Sequence, residues 1–145
     1  MGVMRMREIL FRGLHRRKGE KVKLDGTPIE SMWVYGGYCQ YNEERGIIYQ
    51  TEPNICKYPV YADSVGQYTG VNDKNGNKIF EGDILKSLTG KYILVTNSGC
   101  GNWTFIDIQD DRICDWLNVR MLSSCQIVDN IHDNPDFVET YRLKF

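Results

Sequence analysis

The sequence predicts a mainly β chain: two small β subdomains, residues 1–60 and 61–145, joined in one compact unit with a short C-terminal helix. Three observations point there. Short runs rich in Val, Ile, Tyr and Trp recur along the chain, each bounded by Gly, Pro, Asn or Asp. Aromatics make up 12% of the residues, nine of them Tyr, and Tyr and Trp suit half-buried sheets and binding surfaces. Residues 61–86 set a polar turn between two extended segments and end in a tight corner, Glu81-Gly82-Asp83, that launches another strand. At 145 residues the chain is long enough to bury a core without staples.

Taken in order, residues 6–14 read as a first strand rather than a helix, because Gly13 closes the run and residues 22–24 and 33–35 supply partners. Residues 15–21 read as a solvated loop, and Asp25-Gly26 with Pro28 as a turn. Residues 33–38 are expected to form a short aromatic strand ended by Gly36-Gly37. Trp33 and Tyr35 share one face of it, and that face is expected to be core. Residues 47–51 form the next strand and 53–59 a connector. Residues 63–70 form an irregular strand shaped by Gly66 and Gly70. Asn75-Gly76 signals a primed-turn hairpin, with positive φ at both central residues. Strands follow at 84–88, 92–96, 103–108 and 125–131, with a short strand or one helical turn at 117–122. Asp133 or Asn134 is expected to cap a helix with Pro135 at its first position.

The net charge of −1 hides an asymmetry. Residues 1–23 hold eight Lys and Arg against two Glu, a net of +6, and the remainder nets −7. A basic arm on an acidic body points to nucleic acid, or to pairing with the body of its own or a neighbouring subunit. The candidate contacts are Arg7, Arg12, Arg16, Arg17 and Lys18, with Trp33, Tyr35 and Tyr38 as possible stacking partners. The five cysteines, Cys39, Cys56, Cys100, Cys114 and Cys125, contain no C-x-x-C pair. They read as free thiols in a reducing cytosol rather than as a zinc or disulfide framework. No signal peptide is visible, and no run approaches the ~20 apolar residues of a membrane span, so a cytoplasmic protein without a membrane partner is expected.

No stretch specifies a reaction. Asp73, Asn75 and Asn77 alternate as in a calcium loop, but Gly76 falls at the fourth position rather than the sixth, and no Glu stands at the twelfth. Asp107, Asp110, Asp111 and Asp115 read as an exposed hairpin tip with Arg112 as partner, in preference to a Mg²⁺ site. His15 lies in the basic loop and His132 at a strand-to-helix junction, neither paired in sequence with a nucleophile. Glu81 and Asp83 are expected to accept backbone N–H bonds and shape the corner. No catalytic residue, cofactor or metal is therefore expected.

Four ordered segments resemble the YopX protein family: residues 7–13; Trp33-Val34-Tyr35-Gly36; the run from Val65-Gly66-Gln67-Tyr68-Thr69-Gly70 through Asp73-Lys74-Asn75-Gly76 to Ile79-Phe80-Glu81-Gly82-Asp83-Ile84; and Ile131-His132-Asp133-Asn134-Pro135. The resemblance implies a β-rich fold with a barrel-like second half. With the short strand spacing, a small SH3-like barrel is expected over residues 61–145. It also implies a phage or prophage accessory protein, and it brings no catalytic residue. The expected role is a non-enzymatic module that binds a protein or its own copies; the alternative is nucleic-acid binding through the basic arm.

Overall fold

Alternating apolar residues and well-placed turn glycines build two antiparallel sheets in the computed structural model, which describes residues 9–97 and 102–144. The first sheet holds β1 (Phe11–Arg16), β2 (Met32–Gln40), β3 (Arg45–Gln50), β4 (Cys56–Tyr61), β5 (Gly66–Asn72) and β6 (Lys78–Phe80), in the order β4-β3-β2-β1-β5-β6. The second holds β7 (Asp83–Lys86), β8 (Tyr92–Asn97), β9 (Trp103–Asp107), β10 (Arg112–Ile113) and β11 (Gln126–Asn130), in the order β10-β9-β8-β7-β11. A 3₁₀ turn, Val119–Ser124, precedes β11, and one short helix, α1 (Phe137–Lys144), ends the described chain. The expected mainly β chain with a short C-terminal helix is observed.

Each sheet has its own core. Val34, Ile48 and Val60 are buried in the first, with Phe11, Tyr38 and Tyr58 around them. The second is larger and mostly aliphatic: Leu85, Ile93, Val95, Phe105, Leu117 and Leu122 are all buried there. The hairpin β5–β6 serves both. Its β5 edge pairs with β1, while Ile79 and Val71 pack into the second core.

Several boundaries differ from expectation, each for a physical reason. β2 does not stop at Gly36-Gly37; it runs on and changes partner there, pairing with β1 as far as Gly36 and with β3 from Gly37. A Cβ at Gly36 would stand 2.1 Å from the Tyr49 carbonyl oxygen, so glycine lets the two backbones close up rather than ending the strand. Residues 56–59 are strand, not connector. Pro59 is tolerated because β4 is an end strand, and its carbonyl accepts a hydrogen bond from His15 Nδ1 at 2.7 Å. β1 runs through His15 and Arg16, which were expected in a loop.

The 73–77 turn is not a primed turn. Gly76 has φ +84°, whereas Asn75 does not enter the left-handed region. The Gly76 N–H donates to the Asp73 carbonyl and the Asp73 N–H to the Asn77 carbonyl, the pattern of a type I turn closed by a glycine bulge. The same two bonds recur at 23–27 around Gly26 and at 87–91 around Gly90. Asp133 does not cap α1, which begins four residues later; the N–H of Phe137 instead donates to the Asn134 carbonyl.

Candidate functional site

The two sheets are joined by polar side chains reaching across. Arg12 on β1 meets Asp83 on β7 at 2.8 Å, and the two residues are only 6% and 1% exposed. The guanidinium lies between the rings of Trp33 and Phe80, 4.5 and 5.0 Å from their centroids. It also donates to the Glu81 carbonyl. Asp83 Oδ2 accepts the Phe80 N–H, as the corner requires. Burial pushes the Asp83 carboxyl up from its ordinary range, against the pull of Arg12. Such a pair fixes geometry more than it adds stability, since desolvating both charges offsets their attraction.

Two more links lie on either side. Asp73 Oδ1 accepts the N–H groups of Asn75 and Asn77, and Oδ2 accepts that of Ile127 on β11. Burial raises the Asp73 carboxyl, but these backbone donors outweigh it and hold the group below the ordinary value. Trp33 Nε1 donates to Asp133 Oδ2 at 2.9 Å, across a separation of one hundred residues. Burial is likewise outweighed at Asp133 by hydrogen bonds, the Trp33 one first. The Trp33 ring meets His132 edge-on, at 5.9 Å between centroids. Gly82, at φ +92°, sits directly under that imidazole, where a Cβ would stand 3.0 Å from Nε2. Burial, helped by the charge of Arg12, lowers the His132 pKa and keeps the ring neutral.

Between these links lies a groove of about 580 Å³. Trp33, Tyr35 and Phe80 form its aromatic wall. Its other wall is β11 from Ile127 to Asn130, where the pairing with β7 skips Val128. β6 and β11, which flank it, are end strands of their sheets. Tyr35 is 43% exposed and Val128 39%.

The candidate residues scatter. Arg12 is a correction: it is the buried centre of the joint and not part of an exposed arm. Arg17 grips Asp63 through both carboxylate oxygens, at 2.8 and 2.9 Å, and stacks on Tyr61 opposite Arg45. Arg16 donates to the Glu30 carbonyl, and Lys18 is exposed. Arg7 lies outside the described residues, as does Cys100. Trp33 and Tyr35 do share a face, but it is the half-open groove rather than a closed core. Tyr38 is on the opposite face with Val34, packed on Phe11. Asp110 and Asp111 lie exposed at the tip between β9 and β10, as expected, and Asp107 stands opposite Arg112 in the β9–β10 register. Asp107 is buried, accepts the N–H groups of Gln109 and Asp110, and lies 3.5 Å from Lys91. Gly70, at φ +88°, belongs to the β5 register shift beside the hairpin. Cys114 and Cys125 are buried free thiols, Cys39 is exposed, and Cys56 is half-buried. Among the described residues no three His, Cys, Asp or Glu side chains converge as metal ligands would, and no helix is long and apolar enough to cross a membrane.

Sequence reasoning missed Asp133, Asn130 and β11 as a groove wall. The signal available was Trp33, whose indole N–H needs an acceptor wherever the ring is half-buried.

No curated protein matches the chain. The family model described as YopX protein matches residues 18–139. That span takes in the Trp33 strand, the 73–77 turn, the Glu81-Gly82-Asp83 corner and the 131–135 turn, so the chain belongs to the YopX protein family.

Proposed function

We propose that this protein is a non-enzymatic accessory module of phage or prophage type, acting in the cytoplasm. It binds a protein partner, or a second copy of itself, through the groove between its sheets. The observation that carries this reading is the aromatic wall of Trp33, Tyr35 and Phe80, left half-open between two end strands. The side chains that chemistry would need support it from the other direction. Asp73, Asp83 and Asp107 are committed to backbone N–H groups, and His132 is held neutral beneath Trp33. The basic arm supports the nucleic-acid reading less well, since Arg12 is buried and Arg17 is tied to Asp63. The four described cysteines are free thiols, two of them buried, which fits a reducing compartment.

The test is capture from cells carrying the phage or prophage, with tagged wild-type, Tyr35→Ala and Arg16→Ala/Lys18→Ala proteins compared side by side. Light scattering of each variant detects self-association. A partner or self-complex held by wild type and lost with Tyr35→Ala supports the reading. One that survives Tyr35→Ala and is lost with the arm variant, or with nuclease, overturns it.

A further inference from the structure

We infer that the depression where the 73–77 and 87–91 turns meet the start of β11 binds the phosphoryl group of a small phosphomonoester. It shares no lining residue with the groove, so it stands or falls apart from the reading above.

The backbone brings two lysines to this place. The Lys74 N–H donates to the Cys125 carbonyl at 2.9 Å, and Lys86 stands opposite Gln126 in the β7–β11 register. Both lysines line a depression of about 420 Å³, together with Ser87, Thr89, Ser124 and Gln126. No carboxylate lines it, although residues 24–145 net −7. Asp73, next to Lys74 in the chain, is buried and holds three backbone N–H groups. Arg12, Arg17 and Lys91 each have a carboxylate partner. Among the described residues Lys74 has none, and Lys86 has only the ring of Tyr92, 6.0 Å from its Nζ. Two unpaired ammonium groups beside one depression are point charges available to an anion.

The 87–91 turn adds neutral donors. It repeats the backbone bonds of the 73–77 turn position for position, with Ser87 where Asp73 stands. Asp73 Oδ1 accepts two N–H groups, those of Asn75 and Asn77. Ser87 Oγ accepts only the second of the equivalent pair, from Lys91, at 3.1 Å. The Thr89 N–H, which corresponds to that of Asn75, has no acceptor among the described residues. Ser87 is itself buried, and its Oγ lies 3.0 Å from Thr89 Oγ1. That bond uses one of the two hydroxyl hydrogens and leaves the other for a ligand. Serine also withholds the negative charge that an aspartate would bring here.

Charge and size select the ligand. A phosphomonoester carries about −1.5 to −2 at pH 7, which matches two ammonium groups, whereas a carboxylate carries a single charge. The volume suits a small molecule, with room for an organic remainder beside the phosphoryl group and exposed Leu88 at the rim. The acidic remainder of the chain repels a longer polyanion.

The test titrates phenyl phosphate into the full chain and follows backbone amides by NMR. Acetate and a single-stranded oligonucleotide serve as comparisons. Lys74→Gln/Lys86→Gln is set against Lys21→Gln/Lys57→Gln, which removes two charges elsewhere. We expect the Leu88 and Thr89 signals to move saturably with phenyl phosphate, and at far lower concentration than with acetate. Lys74→Gln/Lys86→Gln should weaken binding by about tenfold or more, as loss of charged hydrogen bonds does, and the other double variant should not. Both site lysines are exposed, so the melting temperature should stay that of wild type. No saturable shift by about 10 mM phenyl phosphate overturns the inference. So does equal weakening in the two double variants. An oligonucleotide that binds more tightly than phenyl phosphate and moves the same signals also overturns it, in favour of a nucleic-acid contact.

Discussion

The two sheets place their apolar residues differently. In the second, β7 and β8 bury Ile84, Leu85, Ile93 and Val95, β9 buries Phe105, and Leu117 and Leu122 close over them from the connection before β11. In the first, the buried core is three aliphatic residues, while Trp33, Tyr35, Tyr49 and Tyr58 stay half-buried or exposed. The second sheet supplies the larger packed scaffold, and the first supplies the aromatic wall of the groove. The joint between them is polar, which is why a groove persists there: Arg12, Asp73, Asp83 and Asp133 hold the sheets at fixed positions without filling the space between them.

The largest expected effect lies at that joint. Arg12→Leu strands Asp83 as a buried, unpaired charge and should cost about 3–5 kcal/mol in urea unfolding. The double variant Arg12→Leu/Asp83→Leu should recover much of the loss, because replacing both partners removes the unpaired charge. A single variant costing under about 1 kcal/mol would mean that the pair does not hold the sheets. Next comes the scaffold against the surface. Leu85→Ala should cost about 2–5 kcal/mol by opening a cavity in the second core. Tyr35→Ala, on the open groove, should cost about 0.5–1 kcal/mol while removing binding. Equal costs at the two positions would erase the distinction between the sheets. Asp73→Ala leaves three backbone N–H groups without their acceptor and should cost about 1–3 kcal/mol, with β11 amides losing hydrogen-exchange protection first.

The smallest effect is a pH dependence. The His132 pKa lies below its ordinary 6.5 in the fold, so the folded state prefers the neutral ring. Its contribution is complete above pH 6.5 and is lost as the pH falls below that towards the folded-state value. Wild type should therefore lose stability over that range relative to His132→Gln. Parallel curves for the two proteins would show that His132 is not held neutral at the joint.

Much of the fold was legible because local chemistry decides it. Alternating runs gave β5, β8 and β9, and the Asx-Gly pairs at Asp25-Gly26 and Asn75-Gly76 gave their turns. The Glu81-Gly82-Asp83 corner was legible too, since Asp83 accepts the Phe80 N–H as a turn aspartate does. What failed was non-local. Gly36 reads as a strand end until the Tyr49 backbone is seen beside it, and Pro59 reads as a connector until β4 is seen to be an end strand. Arg12 reads as part of a basic arm because its partner Asp83 is seventy-one residues away. The site was legible only in half. Trp33 and Tyr35 were singled out for their spacing, but Asp133 and β11 come to them through tertiary contact alone.

The central claim is that the groove at the joint, and not the basic arm, is the binding surface. Hydrogen–deuterium exchange on the full chain, with and without its captured partner, tests it most directly. The account predicts new protection at residues 33–35, 77–80 and 127–130, with residues 16–28 unchanged. Protection confined to residues 16–28, with the groove exchanging as in the free protein, would contradict it.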